Sequence, residues 1–119
     1  MKEIYHIAAA ADWRHAKLHG EYRISTRGRS LDDQGFIHAS ESHQVAPVAN
    51  MIYKGDRNLL LLIIDVSRVT SEIRYEHVSG WKDPFPHIYG PLNVDAVVEA
   101  VPLEADIDEI FSFSVTDGR

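Results

Sequence analysis

Histidine stands inside two short apolar stretches, GFIHAS (35–40) and FPHIYGPLN (85–93), each of which contains glycine or proline. Imidazole titrates near neutral pH, so it can serve as an acid, a base or a hydrogen-bonding group toward a ligand. Glycine and proline restrict the backbone or let another group approach it closely, as a preorganised site requires. We therefore predict that His38 and His87 are the catalytic residues of such a site.

Neighbouring polar groups extend this candidate site. Side chains alternate along a strand, so Ser40 shares a face with His38, and Tyr89 shares a face with His87. A third histidine, His6, lies in the early apolar stretch IYHIA. We predict that these segments meet around one cleft in which His6, Ser40 and Tyr89 bind a ligand. The alternative is structural: hydrogen-bonded histidines, a serine that caps a helix and a tyrosine of the core.

The stretch RISTRGR (23–29) carries three arginines and no acidic residue. Arginine presents a planar set of donors that matches the geometry of a phosphate group. We predict that Arg23, Arg27 and Arg29 bind the phosphate of a nucleotide-like small molecule. A solvated loop is the alternative interpretation of this charge run.

Several other catalytic motifs are absent from the sequence. There is no GxSxG turn for a serine hydrolase, no HExxH pair for zinc, and neither a P-loop nor a GxGxxG motif. No metal site is predicted, although three distant histidines would be enough in number to build one. Any nucleotide is therefore expected to bind through a different device.

Composition limits the broad class of the protein. The 119 residues fit one domain, 1–119, and the absence of cysteine and of a signal peptide favours a cytoplasmic protein. A net charge of −6 argues against duplex nucleic acid as a partner, because such binders need a basic face. The longest apolar run, LLLLII, is far shorter than the roughly 20 residues of a membrane span. We expect a monomer or weak homodimer that binds no membrane.

Hydrophobic patterning predicts an α+β fold with two main helices and six or seven mostly antiparallel strands. The stretch NLLLLIIDV (58–66) is uninterrupted and is predicted to be a central strand buried on both faces. One helix is predicted to follow Asp12, and a second to begin at Ser40 or Ser42 and end near Lys54. Besides 58–66, strands are predicted at 4–8, 35–40, 72–78, 87–90 and 96–104; residues 21–25 are a candidate short edge strand, and 110–115 a last strand or an extended tail.

The order and spacing of four motifs, GFIHAS, LLLLIID, RYEH and FPHIYGPL, resemble those of the bacterial domain-of-unknown-function family 952. The early YHI and the tryptophan of DWRHAKLHGEYR also fit this family. Through it, the chain is similar to a compact member of the ADP-ribosyltransferase-like superfamily, which includes RNA 2′-phosphotransferases. This resemblance implies a curved, split, mostly antiparallel sheet whose central cleft accepts NAD or an ADP-ribose-like group.

The resemblance also implies roles for individual residues. His6 corresponds to the histidine that hydrogen-bonds a ribose hydroxyl of NAD, and residues 35–53 correspond to the strand and helix that cradle the nicotinamide. If the glycines are aligned, Ile37 stands where many members carry a stacking tyrosine. Glu76 is the acid nearest to the glutamate that stabilises the oxocarbenium-like centre, and His87 is its alternative.

Together, these observations predict an enzyme of ADP-ribosyltransferase-like type that binds NAD, ADP-ribose or another nucleotide in a histidine-lined cleft. Its reaction would be ADP-ribosyl or 2′-phospho transfer, with NAD as the candidate cofactor. The alternative is a non-catalytic nucleotide-binding module that has lost the transferase glutamate. A third interpretation is that the histidine motifs only hold strands together.

Overall fold

The computed structural model describes residues 2–114, which form ten strands and three α-helices. In chain order these are β1 (Glu3–Ala9), α1 (Ala10–His19), β2 (Glu21–Tyr22), β3 (Ile24–Thr26), β4 (Arg29–Ser30), α2 (Leu31–Gln34), β5 (Ile37–His38), α3 (Val45–Ile52), β6 (Leu59–Asp65), β7 (Glu72–Glu76), β8 (Phe85–Tyr89), β9 (Leu92–Asn93) and β10 (Val97–Leu103).

The central strand is β6, which pairs antiparallel with β1 on one side and with β10 on the other. Six of its seven residues are buried and the seventh, Leu60, is partly buried, because both faces of the strand are covered. The prediction of a central strand buried on both faces is therefore confirmed. Pro102 lies in β10, an edge strand, where its missing N–H costs no ladder hydrogen bond.

A second three-stranded sheet, β5-β8-β7, is also antiparallel. The two three-stranded sheets are joined at one point, where Tyr5 and Ser40 exchange main-chain hydrogen bonds of 2.9 and 2.8 Å. The remaining strands form two small antiparallel ribbons, β2-β9 and β3-β4. The sequence predicted six or seven strands, and the structure divides residues 2–114 into more and shorter ones, because turns interrupt segments such as 21–30.

The hydrophobic core has two parts, one on each face of β1 and β6, because side chains alternate along a strand. Helix α1 packs its buried Trp13 and Ala16 against one face, and α3 packs Val45, Val48 and Ala49 against the other. Full burial of one large aliphatic side chain stabilises a fold by about 1.5–3 kcal/mol. These two layers on one sheet make the fold α+β, as the sequence predicted.

The helix boundaries differ from the predicted ones at their N-termini. Helix α1 begins at Ala10, with Asp12 in its first turn instead of at the N-cap. Helix α3 begins at Val45, because a 3₁₀ turn over Ser42–Gln44 precedes it. Pro47 therefore falls in the first turn of α3, where its missing N–H has no intrahelical partner to lose.

Helix α2 was not predicted from the sequence. Ser30 caps it by accepting a hydrogen bond from the Asp33 N–H at 3.1 Å, and the Asp33 carboxylate accepts from the Ser30 N–H at 3.1 Å. This reciprocal pair is a capping box with aspartate in place of the usual glutamate or glutamine. The short helix turns the chain so that Phe36 and β5 enter the second sheet.

The predicted final strand at 110–115 is not formed over 110–114, and residue 115 lies outside the described residues. Instead, the segment is held by Asn50, whose side chain accepts from the Phe111 N–H at 2.8 Å and donates to the Phe111 carbonyl at 2.9 Å. Among the described residues, no helix is long and apolar enough to cross a membrane.

Candidate functional site

A cleft of about 390 Å³ opens beside the second sheet. Its lining combines apolar and aromatic side chains with a few polar ones. The lining residues are Ser25, Thr26, Arg29, Gln34, Phe36, His38, Val48, Ile52, Val78, Trp81, Phe85 and His87. Within residues 2–114, no acidic side chain lines the cleft, and no group of three or more histidines and carboxylates is placed to hold a metal ion.

The structure brings His38 and His87 together in this cleft. They are directly opposite each other in the β5–β8 pair, so their side chains lie on the same face of the sheet. Their ring centroids are 5.5 Å apart, with an angle of 50° between the planes. Because a strand pair fixes this arrangement, the two rings form one preorganised unit.

Hydrogen bonding fixes the tautomer of His87. Its Nδ1 lies 2.8 Å from Oε1 of Glu76, and a carboxylate accepts hydrogen bonds, so Nδ1 carries the proton and donates it. In the neutral ring the other nitrogen, Nε2, is then the acceptor, and it has no hydrogen-bond partner among the described residues. Phe36 stacks on the imidazole with ring centroids 4.0 Å apart and 18° between the planes.

Glu76 contacts the His87 imidazole at Nδ1 and does not line the cleft. The Tyr89 hydroxyl donates to the same oxygen, Oε1, at 2.5 Å, and the Arg74 guanidinium lies over the Tyr89 ring, 4.5 Å from its centroid. The hydrogen bonds from Tyr89 and then His87 lower the pKa of Glu76 below its usual value. The carboxylate is thus ionised at neutral pH.

His38 is neutral near pH 7. Burial, and then the nearby His6 and His87, lower its pKa to about 3. Its Nε2 is buried without a hydrogen-bond partner. Ser25, a fully buried residue of β3, also lacks a partner for its Oγ. Since Ser25, His38 and His87 all line the cleft, the buried polar atoms without partners in residues 2–114 belong to one site.

His6 does not line the cleft. Its Nδ1 donates to the His38 carbonyl at 2.5 Å, and its Nε2 accepts from the Tyr22 hydroxyl at 2.8 Å. Burial lowers the pKa of His6 to about 4, so it too is neutral near pH 7. Both of its nitrogens are engaged within the protein, and the residue anchors the main chain of β5 beneath the cleft.

Of the three arginines predicted to bind phosphate, only one lines the cleft. Arg29 lines the cleft and donates to Gln34 Oε1 at 3.3 Å. Arg23 is paired with Glu21 and Asp32 instead, at 2.8 and 3.2 Å.

Arg27 is likewise paired outside the cleft, with Asp56 at 2.7 Å. Ser40 is buried and joins the two sheets through its main chain, and it neither caps α3 nor lines the cleft. Tyr89 acts on Glu76 and tilts against Phe36, with ring centroids 5.5 Å apart. Only Arg29 of these candidates therefore reaches the cleft directly.

Sequence reasoning missed Ser25, the aromatic walls and the hydrogen bond between Glu76 and His87. The alternation of EIRYEHV did place Glu76 on the same face as Arg74, and pairing of β7 with β8 would have aligned that face with His87. For Ser25 the sequence offers no signal, since it is an ordinary serine between charged residues.

Comparison with known proteins places the chain in a family. The family model described as “Protein of unknown function (DUF952)” matches residues 7–100. The crystal structure of protein CC0527 from Caulobacter crescentus is 31% identical in sequence, with a TM-score of 0.81 over 93% of this chain and 94% of that one. A CC0527 double mutant gives the same values.

The solution NMR structure of CC0527 is also similar, at 32% identity and a TM-score of 0.76 over 92% of this chain and 91% of that one. The search of curated proteins found no significant match. Because the family model spans most of the sequence, the resemblance suggested by GFIHAS and FPHIYGPL is confirmed: the chain belongs to the DUF952 family of proteins of unknown function.

Proposed function

We propose that the cleft binds a nucleotide-type small molecule, such as NAD or ADP-ribose, in a site of ADP-ribosyltransferase-like type. The observation that carries this proposal is the set of buried polar atoms without partners, Ser25 Oγ, His38 Nε2 and His87 Nε2, in residues that line one aromatic-walled cleft. A buried polar group without a hydrogen bond costs about 1–3 kcal/mol. A ligand that supplies the missing partners recovers part of that cost.

Access to these atoms requires local movement. All three are shielded from solvent although their residues line the cleft. Phe36 stacks on one face of His87 and also lines the cleft, so a ligand that meets His87 is expected to contact this ring. Ligand binding is therefore expected to rearrange the side chains that line the cleft around these atoms.

The walls of the cleft suit a planar heterocycle. Phe36, Trp81 and Phe85 line it, and Trp81 meets Phe85 edge to face with centroids 5.1 Å apart. Aromatic rings bind planar groups by stacking or edge contacts. A volume near 390 Å³ falls within the range of about 300–1,000 Å³ that is usual for small-molecule sites.

Arg29 supplies the charge for a phosphate. Within residues 2–114 it forms no ion pair, whereas Arg23 and Arg27 are each paired with a carboxylate. Asp33 interacts with Arg29 electrostatically but not at salt-bridge distance, so the guanidinium can bind a phosphate without first giving up a salt bridge. Although the protein has a net negative charge, Arg29 thus offers a positive group to a ligand phosphate in the cleft that Ser25, His38 and His87 also line.

A second candidate function is a nucleotide-binding module without ADP-ribosyl transfer. Among the described residues, the cleft has no acidic lining residue, and Glu76 is bound by His87 and Tyr89 behind the cleft wall. Cleavage of a glycosidic bond builds positive charge on the sugar, which a carboxylate in the cleft would stabilise. Its absence favours binding alone or 2′-phospho transfer over ADP-ribosyl transfer.

Thermal unfolding of the full chain tests the proposal, with NAD, ADP-ribose and a 2′-phosphorylated oligonucleotide as probes. A ligand that binds only the folded state raises the unfolding midpoint. We expect a shift with at least one probe, and its loss in a Phe36→Ala variant but not in His15→Asn, a change on the exposed side of α1. The proposal fails if no probe shifts the midpoint. Chromatography of the bound probe then separates an enzyme from a module by whether the probe is consumed.

A further inference from the structure

We propose that His87 is the base for a hydroxyl group of the bound ligand, with its neutral ring held by Glu76 and Tyr89 in the tautomer whose Nε2 is the acceptor. This inference rests on the proposed function, because the hydroxyl has to be brought into the cleft by a ligand. His87 would be the catalytic residue, and Glu76 and Tyr89 would be positioning residues.

The first step of the argument is the direction of the hydrogen bond to Glu76. An ionised carboxylate has no hydrogen to donate, so the 2.8 Å contact requires a proton on His87 Nδ1. A neutral imidazole carries one proton, and Nε2 is then an acceptor. The atom that meets Nε2 must therefore be a donor.

The second step is that Glu76 is itself fixed. Its Oε1 accepts from both His87 and Tyr89, and Arg74 lies over the Tyr89 ring. Loss of the Tyr89 hydroxyl would leave the carboxylate with one of these two donors. The hydrogen-bonded chain Tyr89–Glu76–His87 lies along one face of the β7–β8 pair, and it orients the imidazole as the acid of a catalytic triad orients its histidine.

The third step is the chemistry that this arrangement supports. As the ligand hydroxyl reacts, its O–H bond breaks, an N–H bond forms at His87 Nε2, and the electron pair stays on the ligand oxygen. The resulting imidazolium lies against the Glu76 carboxylate, which stabilises the new positive charge. His38, directly opposite, is neutral and adds no competing charge.

This arrangement also selects among parts of a nucleotide. A phosphate oxygen or a carbonyl group would set one lone pair against another at Nε2, whereas a sugar hydroxyl or water has a hydrogen to donate. The phosphate is left to Arg29, which has donors only. Amino and amide groups of a base also donate, but among the parts of a nucleotide a sugar hydroxyl is the donor whose proton a base removes in transfer chemistry. The substrate class that fits is therefore a ribonucleotide with a free sugar hydroxyl.

The tautomer can be tested without any ligand. In long-range ¹H–¹⁵N correlation spectra of the full chain, the neutral His87 ring is expected to carry its proton on Nδ1 and a lone pair on Nε2. In Glu76→Gln the side-chain amide can either accept from or donate to Nδ1, so the preference should weaken and both tautomers should appear. A proton on Nε2 of the neutral ring in the wild-type protein, or an unchanged tautomer in Glu76→Gln, would overturn the inference.

Two variants of His87 test contact with a ligand, with ADP-ribose as the probe. His87→Asn retains an N–H for Glu76 but has no atom at Nε2, and His87→Gln places an amide near Nε2. We expect His87→Asn to bind ADP-ribose at least about tenfold more weakly, with partial rescue in His87→Gln. Inorganic phosphate should not affect the Nε2 resonance.

The outcomes separate the two proposals. If wild-type protein binds none of the nucleotide probes, the proposed function fails. The proposal that His87 acts on a ribonucleotide then fails with it, even if the tautomer of His87 is as expected. If wild-type protein binds ADP-ribose and a folded His87→Asn binds it equally well, the role of His87 is overturned while the proposed function stands. Circular dichroism of both variants establishes that they are folded.

Discussion

His87 and Glu76 lie diagonally across the β7–β8 pair and are joined by a 2.8 Å hydrogen bond, whereas the residue directly opposite His87 is Arg74. Diagonal neighbours in an antiparallel pair are far enough apart that only long side chains reach each other. Glutamate has that reach, and aspartate would be one methylene too short. The geometry therefore depends on both the strand register and the length of this side chain.

Removal of the Tyr89 hydroxyl should raise the pKa of Glu76. The hydrogen bond from Tyr89 is the largest cause of the lowered pKa, so Tyr89→Phe should move that pKa upward toward its ordinary value. Carboxyl ¹³C NMR titration measures this change. Tyr75→Phe is the matched control, because Tyr75 lies in the same hairpin but donates to Glu41. An unchanged Glu76 titration in Tyr89→Phe would contradict the assignment.

Tyr22→Phe should destabilise the fold by about 1–3 kcal/mol, because it leaves a buried nitrogen without its donor. Tyr22 is 1% exposed, and its hydroxyl donates to His6 Nε2 at 2.8 Å. Urea unfolding measures the loss. Tyr53→Phe serves for comparison, since that hydroxyl has a longer contact of 3.3 Å with Thr26 and should cost less. Equal losses in the two variants would count against a specific role for the His6 contact.

Stability should fall as the pH drops from about 7 to about 5. His6 and His38 have folded-state pKa values of about 4 and about 3, both below the usual 6.5. The unfolded chain therefore takes up protons in this window before the folded protein does, so stability is full above the unfolded pKa and decreases below it. Each histidine should contribute a loss of roughly 2 kcal/mol at about pH 5.

Urea unfolding at the two pH values measures this dependence. The acidic groups with lowered pKa, such as Glu76, add their own loss only below their unfolded-state values, so the window above about pH 5 reports mainly histidine. A His38→Gln variant removes one titrating group and should reduce the slope. Stability that is constant between these pH values would refute the neutral assignment of both histidines.

Arg29→Gln should weaken binding of ADP-ribose, and Arg27→Gln should not. Both changes remove one positive charge, but Arg29 lines the cleft and Arg27 is paired with Asp56 outside it. A lost charge-assisted contact of this kind corresponds to about a tenfold loss of affinity. Isothermal titration calorimetry provides the comparison. Equal losses in the two variants would indicate a long-range effect of net charge rather than a contact at Arg29.

Gly90→Ala should destabilise the end of β8 by at least about 1–3 kcal/mol. Gly90 has φ of +150°, and an added Cβ would lie 2.5 Å from the Ser71 hydroxyl, which itself donates to the Pro91 carbonyl. Chemical unfolding gives the size of the effect. Gly55→Ala is the control for backbone strain alone, since φ is +86° there but nothing lies near the added Cβ. Similar costs in the two variants would remove the clash with Ser71 from the explanation.

The sequence was sufficient for elements whose pattern is set by burial alone. The run at 58–66 predicted β6 because continuous apolar residues are characteristic of a strand covered on both faces, and alternation placed His6 with Ile4 and Ala8. Gly20, a residue type that commonly follows the last turn of a helix, is the C-cap of α1. These features depend on the conformational preferences of neighbouring residues and on which face of the element is buried.

Features that depend on contacts between different segments of the chain were not predictable from local pattern. Helix α3 starts later than Ser42 because a 3₁₀ turn, closed by Glu41 and Gln44, occupies the expected first turn. The stretch 35–40 forms only a two-residue strand, because Ser40 bonds to Tyr5 in the other sheet instead of extending the pairing with β8. Which strand meets which is a property of the whole fold.

The candidate site was predictable in part for the same reason. Two stiffened histidine motifs indicated His38 and His87, and strand pairing brings them together. Arg29 lines the cleft without an ion pair among the described residues, whereas Arg23 and Arg27 are paired, and this difference depends on where the fold places the carboxylates. Ser25 becomes notable only once burial removes every partner from its hydroxyl.

The seam between the two large sheets consists of the paired main chains of Tyr5 and Ser40, reinforced by the His6 ring at the His38 carbonyl. A shift of β5 by one residue along its neighbour would have to break all of these bonds at once. The position of the His38 ring in the cleft is therefore set by these hydrogen bonds to β1, which belongs to the other sheet. A substitution in the apolar layers around β6 can therefore shift the His38 ring even though no residue that lines the cleft has been replaced.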